Sequence, residues 1–144
     1  MSSTPNIAVV IPFYQRQKGL LNETIQSIYK QTFEGEILVI VVDDGSPISA
    51  EEELSGIASV KNRKIKIITQ ENGGAGSARN NALNNVPQTT EYVAFIDSDD
   101  QWHATHLENA VRALKLGYQA YFSDHHAALY PNDSNFERIG TLPL

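Results

Sequence analysis

Apolar positions along the chain come in two kinds of block: short unbroken runs, and stretches in which apolar residues recur three or four apart. Ile7-Ala8-Val9-Val10-Ile11, closed by Pro12, is a run of the first kind. It is too brief for a helix and rich in β-branched residues, which predicts a buried strand. Leu21, Ile25 and Ile28, with Leu20 and Tyr29 alongside, then share one helical face between Gly19 and Thr32. Ile37 to Val42 is apolar without alternation, so both faces should be covered, as in an interior parallel strand. Ser46-Pro47 and Ser49 with Glu52 offer alternative starts for a second helix.

The same spacing predicts a third strand over Ile65 to Thr69 and a third helix beginning near Ser77, with Ala78, Ala82 and Leu83 on its packed face. A fourth strand is expected over Tyr92 to Ile96. A fourth helix, beginning near His103, carries Leu107, Ala110, Val111 and Leu114 and ends at Gly117. Tyr118 to Phe122 reads as a fifth strand. Strands and helices alternate with short connections, which predicts an α/β fold: a mostly parallel sheet with helices on both faces and right-handed crossovers. In such sheets ligands bind beyond the carboxyl ends of the strands, and each polar cluster of interest here follows a strand directly.

Composition narrows the functions. With 144 residues, 41% hydrophobic and 19% charged, the chain suits a single domain with a real core. A formal net charge of −6 argues against nucleic acid or anionic lipid as the main partner. Cysteine is absent, which removes disulfides, thiolate metal sites and a cysteine nucleophile. No apolar run has the length of a membrane span, and the start lacks signal-peptide character; the expected location is cytoplasmic, with membrane-peripheral residence an option for a longer protein. The ending "GTLPL" lacks the polarity of a natural tail, so a truncated chain is expected.

Three clusters carry candidate chemistry. In "VVDDGS", Asp43 and Asp44 leave the second strand, where a carboxylate can accept hydrogen bonds from a ribose hydroxyl or a base N–H. The alternative is a turn and helix cap, and Ser46 is read as a cap only. In "ENGGAGSARNNAL", Gly73, Gly74 and Gly76 precede a helix whose free N–H groups could meet an anion. Arg79 is expected in the first turn, a poor place for a cation on dipole grounds, which suggests pairing with a phosphate or nearby carboxylates. A flexible loop with a surface arginine is the competing reading. In "FIDSDDQW", Asp97 and Asp99 lie two apart on an expected extended segment. They could converge on one hard divalent cation, with Asp100 able to join; the alternative is an acidic loop capping the next helix. His103 and His106 have the three-residue spacing of a helical metal pair and His125 and His126 are adjacent after the expected fifth strand, but both pairs are read as solvated or hydrogen-bonded.

Taken in order, "VVIPFYQR", "VVDDGS", "NGGAGSARNNAL" and "FIDSDDQW" resemble the amino-terminal half of family 2 glycosyltransferases of the GT-A fold. The resemblance implies a Rossmann-like nucleotide-sugar-binding core over 6–122 within a single domain over 1–144, with 123–144 beginning a truncated acceptor-side region. It also implies an NDP-sugar donor, UDP-sugar favoured, with Mg²⁺ or Mn²⁺, and a saccharide, lipid-linked or other acceptor. By that resemblance Pro12 and Tyr14 lie beside the base, Asp44 with Asp43 contacts the base, and Arg79 lies near base or phosphate. Asp97-Ser98-Asp99 matches the family's D-x-D motif, Asp97 toward the ribose and Asp99 toward metal and diphosphate, with Asp97, Asp99 and Asp100 the candidate ligands.

The family's later half supplies the acceptor site and, in inverting members, a carboxylate general base. Asp124 and Asp133 are the only aspartates after the D-x-D region, and neither matches that base, so the catalytic base is unassigned. Phe136, Ile139, Leu142 and Leu144 are expected to pack against missing chain, and the 144 residues alone are expected to transfer sugar negligibly. A non-catalytic nucleotide-binding or assembly module is the alternative. A nucleotidyltransferase ranks below both, because "PFYQRQKG" holds one glycine.

Overall fold

The computed structural model describes residues 4–123. His125, His126, Asp124, Asp133 and the apolar residues from Phe136 onward lie outside them. Eight elements follow one another: β1 (Ile7–Phe13), α1 (Leu20–Tyr29), β2 (Ile37–Asp43), α2 (Ala50–Leu54), β3 (Arg63–Thr69), α3 (Ala75–Asn84), β4 (Tyr92–Phe95) and α4 (His106–Lys115). The chain divides into two compact units, one ending at Thr105 and one starting at His106. The four strands, all in the first unit, form a parallel sheet in the order β3-β2-β1-β4. This is the α/β architecture that the alternation of blocks predicts.

Given this order, handedness fixes which face each helix covers. From β1 through β2 to β3 the chain steps one way across the sheet, and right-handed crossovers place α1 and α2 on one face. The step from β3 to β4 goes back past β1, which puts α3 on the other face. There Ala78 and Ala82 pack on Val10, Ile40 and Val42, and their small side chains let the helix lie close. Val9, Ile11, Val39 and Val41 on the opposite face are equally sealed, as expected beneath the apolar stripe Leu21, Ile25 and Ile28 of α1. Each such buried side chain is worth about 1.5–3 kcal/mol.

β1 pairs with β2 from Ile7↔Ile37 to Phe13↔Asp43, but with β4 only from Ile7↔Tyr92 to Val10↔Phe95. β1 therefore runs through Pro12, where the sequence pattern stops it. Backbone groups on β1 alternate in direction: Phe13 accepts from Asp44 N–H on the β2 side at 2.9 Å, and Val10 accepts from Ile96 N–H on the β4 side at 3.2 Å. Pro12 thus faces the β4 side beyond the last rung, where its missing N–H costs no ladder bond.

Several boundaries differ from expectation. α2 starts at Ala50, capped by Ser49, whose hydroxyl accepts from Glu52 N–H; Ser46 is not a cap. α3 starts at Ala75, which places Arg79 past the first turn, and Leu83 is exposed. α4 starts at His106, so His103 precedes the helix and the two histidines are not a helical pair. His106 lies against Tyr121, ring centroids 5.8 Å apart, and burial lowers its pKa.

No strand forms over residues 118–122; Tyr118 and Phe122 are exposed. A β-prone run becomes a strand only where a neighbour satisfies its backbone groups, and among the described residues this run has no ladder.

Candidate nucleotide-sugar site

The strand order reverses between β1 and β4, and such a switch point is where open α/β sheets hold ligands. A cavity of about 240 Å³ lies there, lined by Pro12, Phe13, Tyr14 and Gln15 after β1, Asp44 after β2, Ala75 and Arg79 of α3, and Asp97, Ser98 and Asp99 after β4. Of the residues singled out from sequence, Pro12, Tyr14, Asp44, Arg79, Asp97, Ser98 and Asp99 come together. Asp43 and Asp100 do not line this cavity.

Asp43 is 6% exposed, and both its carboxylate oxygens are engaged at 2.9 Å, one by Ser46 N–H and the other by Ala50 N–H. It shapes the connection into α2. Ser46 exchanges hydrogen bonds with the backbone of Gln15, accepting from its N–H and donating to its carbonyl, so the loops after β1 and β2 are laced together. Gln15 in turn donates through Nε2 to Ser98 Oγ at 2.9 Å.

Asp44 is held by four hydrogen bonds to its carboxylate. Oδ1 accepts from Gly73 N–H at 2.7 Å and Gln70 Nε2 at 2.9 Å; Oδ2 accepts from Gly74 N–H at 2.9 Å and Asn72 Nδ2 at 3.2 Å. The Gly73 N–H foremost, then the Gln70 amide, hold its pKa below the ordinary value against the opposing effect of burial, with Gly74 adding to them. Two N–H groups of the glycine loop, those of Gly73 and Gly74, are therefore spent on an anion within the protein. The loops meet closely: Gly45 has φ 68°, and a Cβ there would lie 3.2 Å from Asn72 N.

Gly74, at φ 94° and ψ 165°, occupies backbone space open essentially to glycine alone. Gly74→Ala should lower stability by about 1–3 kcal/mol, read as a lower urea midpoint with an unchanged slope. No atom crowds the position, so the cost is backbone strain; an unmoved midpoint would show that the loop relaxes freely.

The D-x-D segment is a tight turn and not extended: Asp100 N–H donates to Asp97 C=O at 3.1 Å. Arg79 pairs with Asp97 at 2.9 Å, both side chains partly exposed, which supplies the compensating cation that the acidic run lacks locally. Asp99 is exposed on the cavity wall. Among the described residues no three His, Cys, Asp or Glu side chains form a ready-made cage. Mg²⁺-type sites need only one or two carboxylates plus substrate phosphates, and the hard oxygens of Asp97 and Asp99 fit that donor set.

Sequence reasoning missed Gln15, Gln70 and Asn72, whose amides carry no chemical signature of their own. It also missed Arg16, whose guanidinium lies 5.6 Å from the Tyr14 ring centroid, a cation–π contact that steadies the ring.

Residues 8–139 match the family described as "Glycosyl transferase family 2". The succinoglycan biosynthesis protein ExoW of Rhizobium meliloti (strain 1021) is 44% identical over 108 residues, covering 75% of this chain and 34% of that protein. Among solved structures, S. aureus TarS 1-349 in complex with UDP-GlcNAc superposes with a TM-score of 0.62 at 29% identity, covering 77% of this chain and 31% of that one. The mannosyltransferase PcManGT from Pyrobaculum calidifontis, in complex with GDP-Man and Mn²⁺, gives a TM-score of 0.68 at 26% identity, covering 78% and 33%. The chain thus spans about a third of the length of these relatives. By sequence and by a shared GT-A fold, the chain belongs to glycosyl transferase family 2.

Proposed function

We propose that the chain binds a nucleoside-diphosphate sugar, UDP-sugar favoured, together with Mg²⁺ or Mn²⁺, as the donor-binding part of a glycosyltransferase acting on a saccharide, lipid-linked or other acceptor. The observation that carries this reading is the convergence of a carboxylate pair, an arginine and an aromatic ring in one cavity at the switch point of the sheet. The UDP-GlcNAc complex of TarS supports the uridine, and the GDP-Man complex of PcManGT sets the competing base.

Pro12 and Tyr14 form the apolar side of the base pocket. Asp44 meets the base edge, with an incoming base N–H replacing the Asn72 amide, the longest of its four carboxylate contacts at 3.2 Å. Asp97 takes the ribose, Asp99 the cation, and Arg79 turns between Asp97 and the diphosphate. A divalent cation held at Asp99 neutralises charge that grows on the diphosphate as the glycosidic bond breaks. Arg79, close enough to share that charge, would bind the leaving group more tightly as its charge develops.

Calorimetry of the chain against UDP, UDP-GlcNAc, GDP and GDP-Man, each in Mn²⁺, Mg²⁺ and EDTA, tests the reading. A divalent cation should tighten uridine nucleotide binding by about a hundredfold or more, since the diphosphate otherwise meets an acidic wall. Equal affinity in EDTA would remove the cation from the site, and absence of any nucleotide binding would remove the donor reading itself.

A further inference from the structure

The D-x-D turn is held from behind by a helix that has no part in the cavity. Along α1, Thr24, Ser27 and Gln31, the last just past its end, are spaced by three and four and so share one face. Each meets the backbone of the segment from Ser98 to His103. Thr24, fully buried, points its hydroxyl at Asp100 C=O at 2.6 Å and Ser98 C=O at 3.1 Å. Ser27 Oγ accepts from Trp102 N–H at 3.1 Å, and Gln31 Nε2 donates to His103 C=O at 2.7 Å. One rung further, Thr32 N–H donates to Ala104 C=O at 2.8 Å. Side chains thus take the place of a fifth strand, satisfying the backbone of a segment that has left the sheet.

We propose that Thr24, supported by Ser27 and Gln31, is a positioning residue for the D-x-D turn, fixing its carbonyls so that Asp99 is presented in one orientation to the cation and diphosphate. The inference rests on the donor reading of that turn. Thr24 touches no ligand itself; it acts as the outer partners of a metal site do, whose loss typically costs 10–100-fold in metal affinity. A side chain locked in place binds more tightly because its ordering is already complete.

The test uses the full chain with Thr24→Val, which keeps the shape and removes the hydroxyl, and Thr24→Ser, which keeps the hydroxyl. In Thr24→Val, amide exchange over residues 98–103 should rise about tenfold or more while β1 and β2 stay protected. The tightening of UDP by Mn²⁺ should shrink about 10–100-fold while UDP affinity in EDTA holds. Thr24→Ser should restore both.

Unchanged exchange, equal loss in Mn²⁺ and EDTA, or failure of Thr24→Ser to rescue would each overturn the proposal. If wild type shows no Mn²⁺-dependent UDP binding, the donor reading fails, and the exchange measurement alone decides whether Thr24 orders the turn. Should Thr24→Val not fold, Ser27→Ala is measured by the same readouts with the same outcomes deciding.

Discussion

In the Asp99→Asn variant, Mn²⁺ is expected to leave UDP affinity where EDTA leaves it. Asp99 lines the cavity and is exposed. Its neutral amide offers one weak oxygen donor where the carboxylate offered two charged ones. Loss of a direct ligand should reach at least the upper end of the range seen for outer partners, about a hundredfold in cation-dependent affinity. The melting temperature of the ligand-free chain should hold or rise, because one of three neighbouring like charges is removed and Arg79 still pairs with Asp97. Calorimetry with and without Mn²⁺, beside a thermal melt, reads both effects. Surviving Mn²⁺ dependence would move the cation elsewhere, and an unfolded variant would make Asp99 structural.

The second large effect is expected at Asp44, in stability. Asn at this position keeps one acceptor and turns an N–H₂ group toward one of two donor pairs that the carboxylate now satisfies, Gly73 N–H with Gln70 Nε2 or Gly74 N–H with Asn72 Nδ2. Unmatched donors shut away from water, together with the lost charge-assisted bonds, should cost on the order of 3 kcal/mol at neutral pH.

The pH dependence has a definite sign. The unfolded chain takes up a proton at Asp44 near the ordinary value of 3.8, and the folded chain only at lower pH. The stabilisation is therefore complete above about pH 4 and is lost as pH falls through the folded pKa. Urea unfolding at a series of pH values should show wild type losing this contribution on acidification and Asp44→Asn, already without it, following a flatter curve. Parallel curves would mean that the carboxylate contributes nothing that titrates.

Unbroken apolar runs marked β1 and β2 because these strands are buried on both faces and leave no room for polar alternation, whereas β3 alternates with lysines and lies partly exposed. What the runs could not carry was order. That β4 returns to the far side of β1 depends on handedness and on the whole set of crossovers, and no residue of β4 records it. The D-x-D acids stood out because charge beside an apolar strand is chemically conspicuous; Arg79 stood out as a cation at a helix start, a placement that the earlier start of α3 does not keep although its side chain reaches the cavity. The division of labour between Asp43 and Asp44 was not, since adjacent carboxylates look alike in sequence and differ only in which backbone N–H groups reach them. Tyr118 to Phe122 has the composition of a strand, but composition does not supply the neighbour that a strand needs. Thr24, Ser27 and Gln31 stayed hidden for the opposite reason: short polar residues beside an apolar helical stripe look like its solvent edge.

Pro12 has a consequence for how the crevice stays open. A further rung between β1 and β4 would need an N–H on residue 12 donating to the carbonyl of Ile96, and proline has none. Pairing therefore cannot creep forward past Val10↔Phe95, and the chain after Ile96 is released to fold into the acidic turn. With any other residue at this position the two strands could zip together and turn the cavity into ordinary sheet. A cavity kept open by a missing backbone donor, and not by a wedged side chain, leaves Tyr14, Arg79 and Asp99 open to substitution without the fold closing on the space between them.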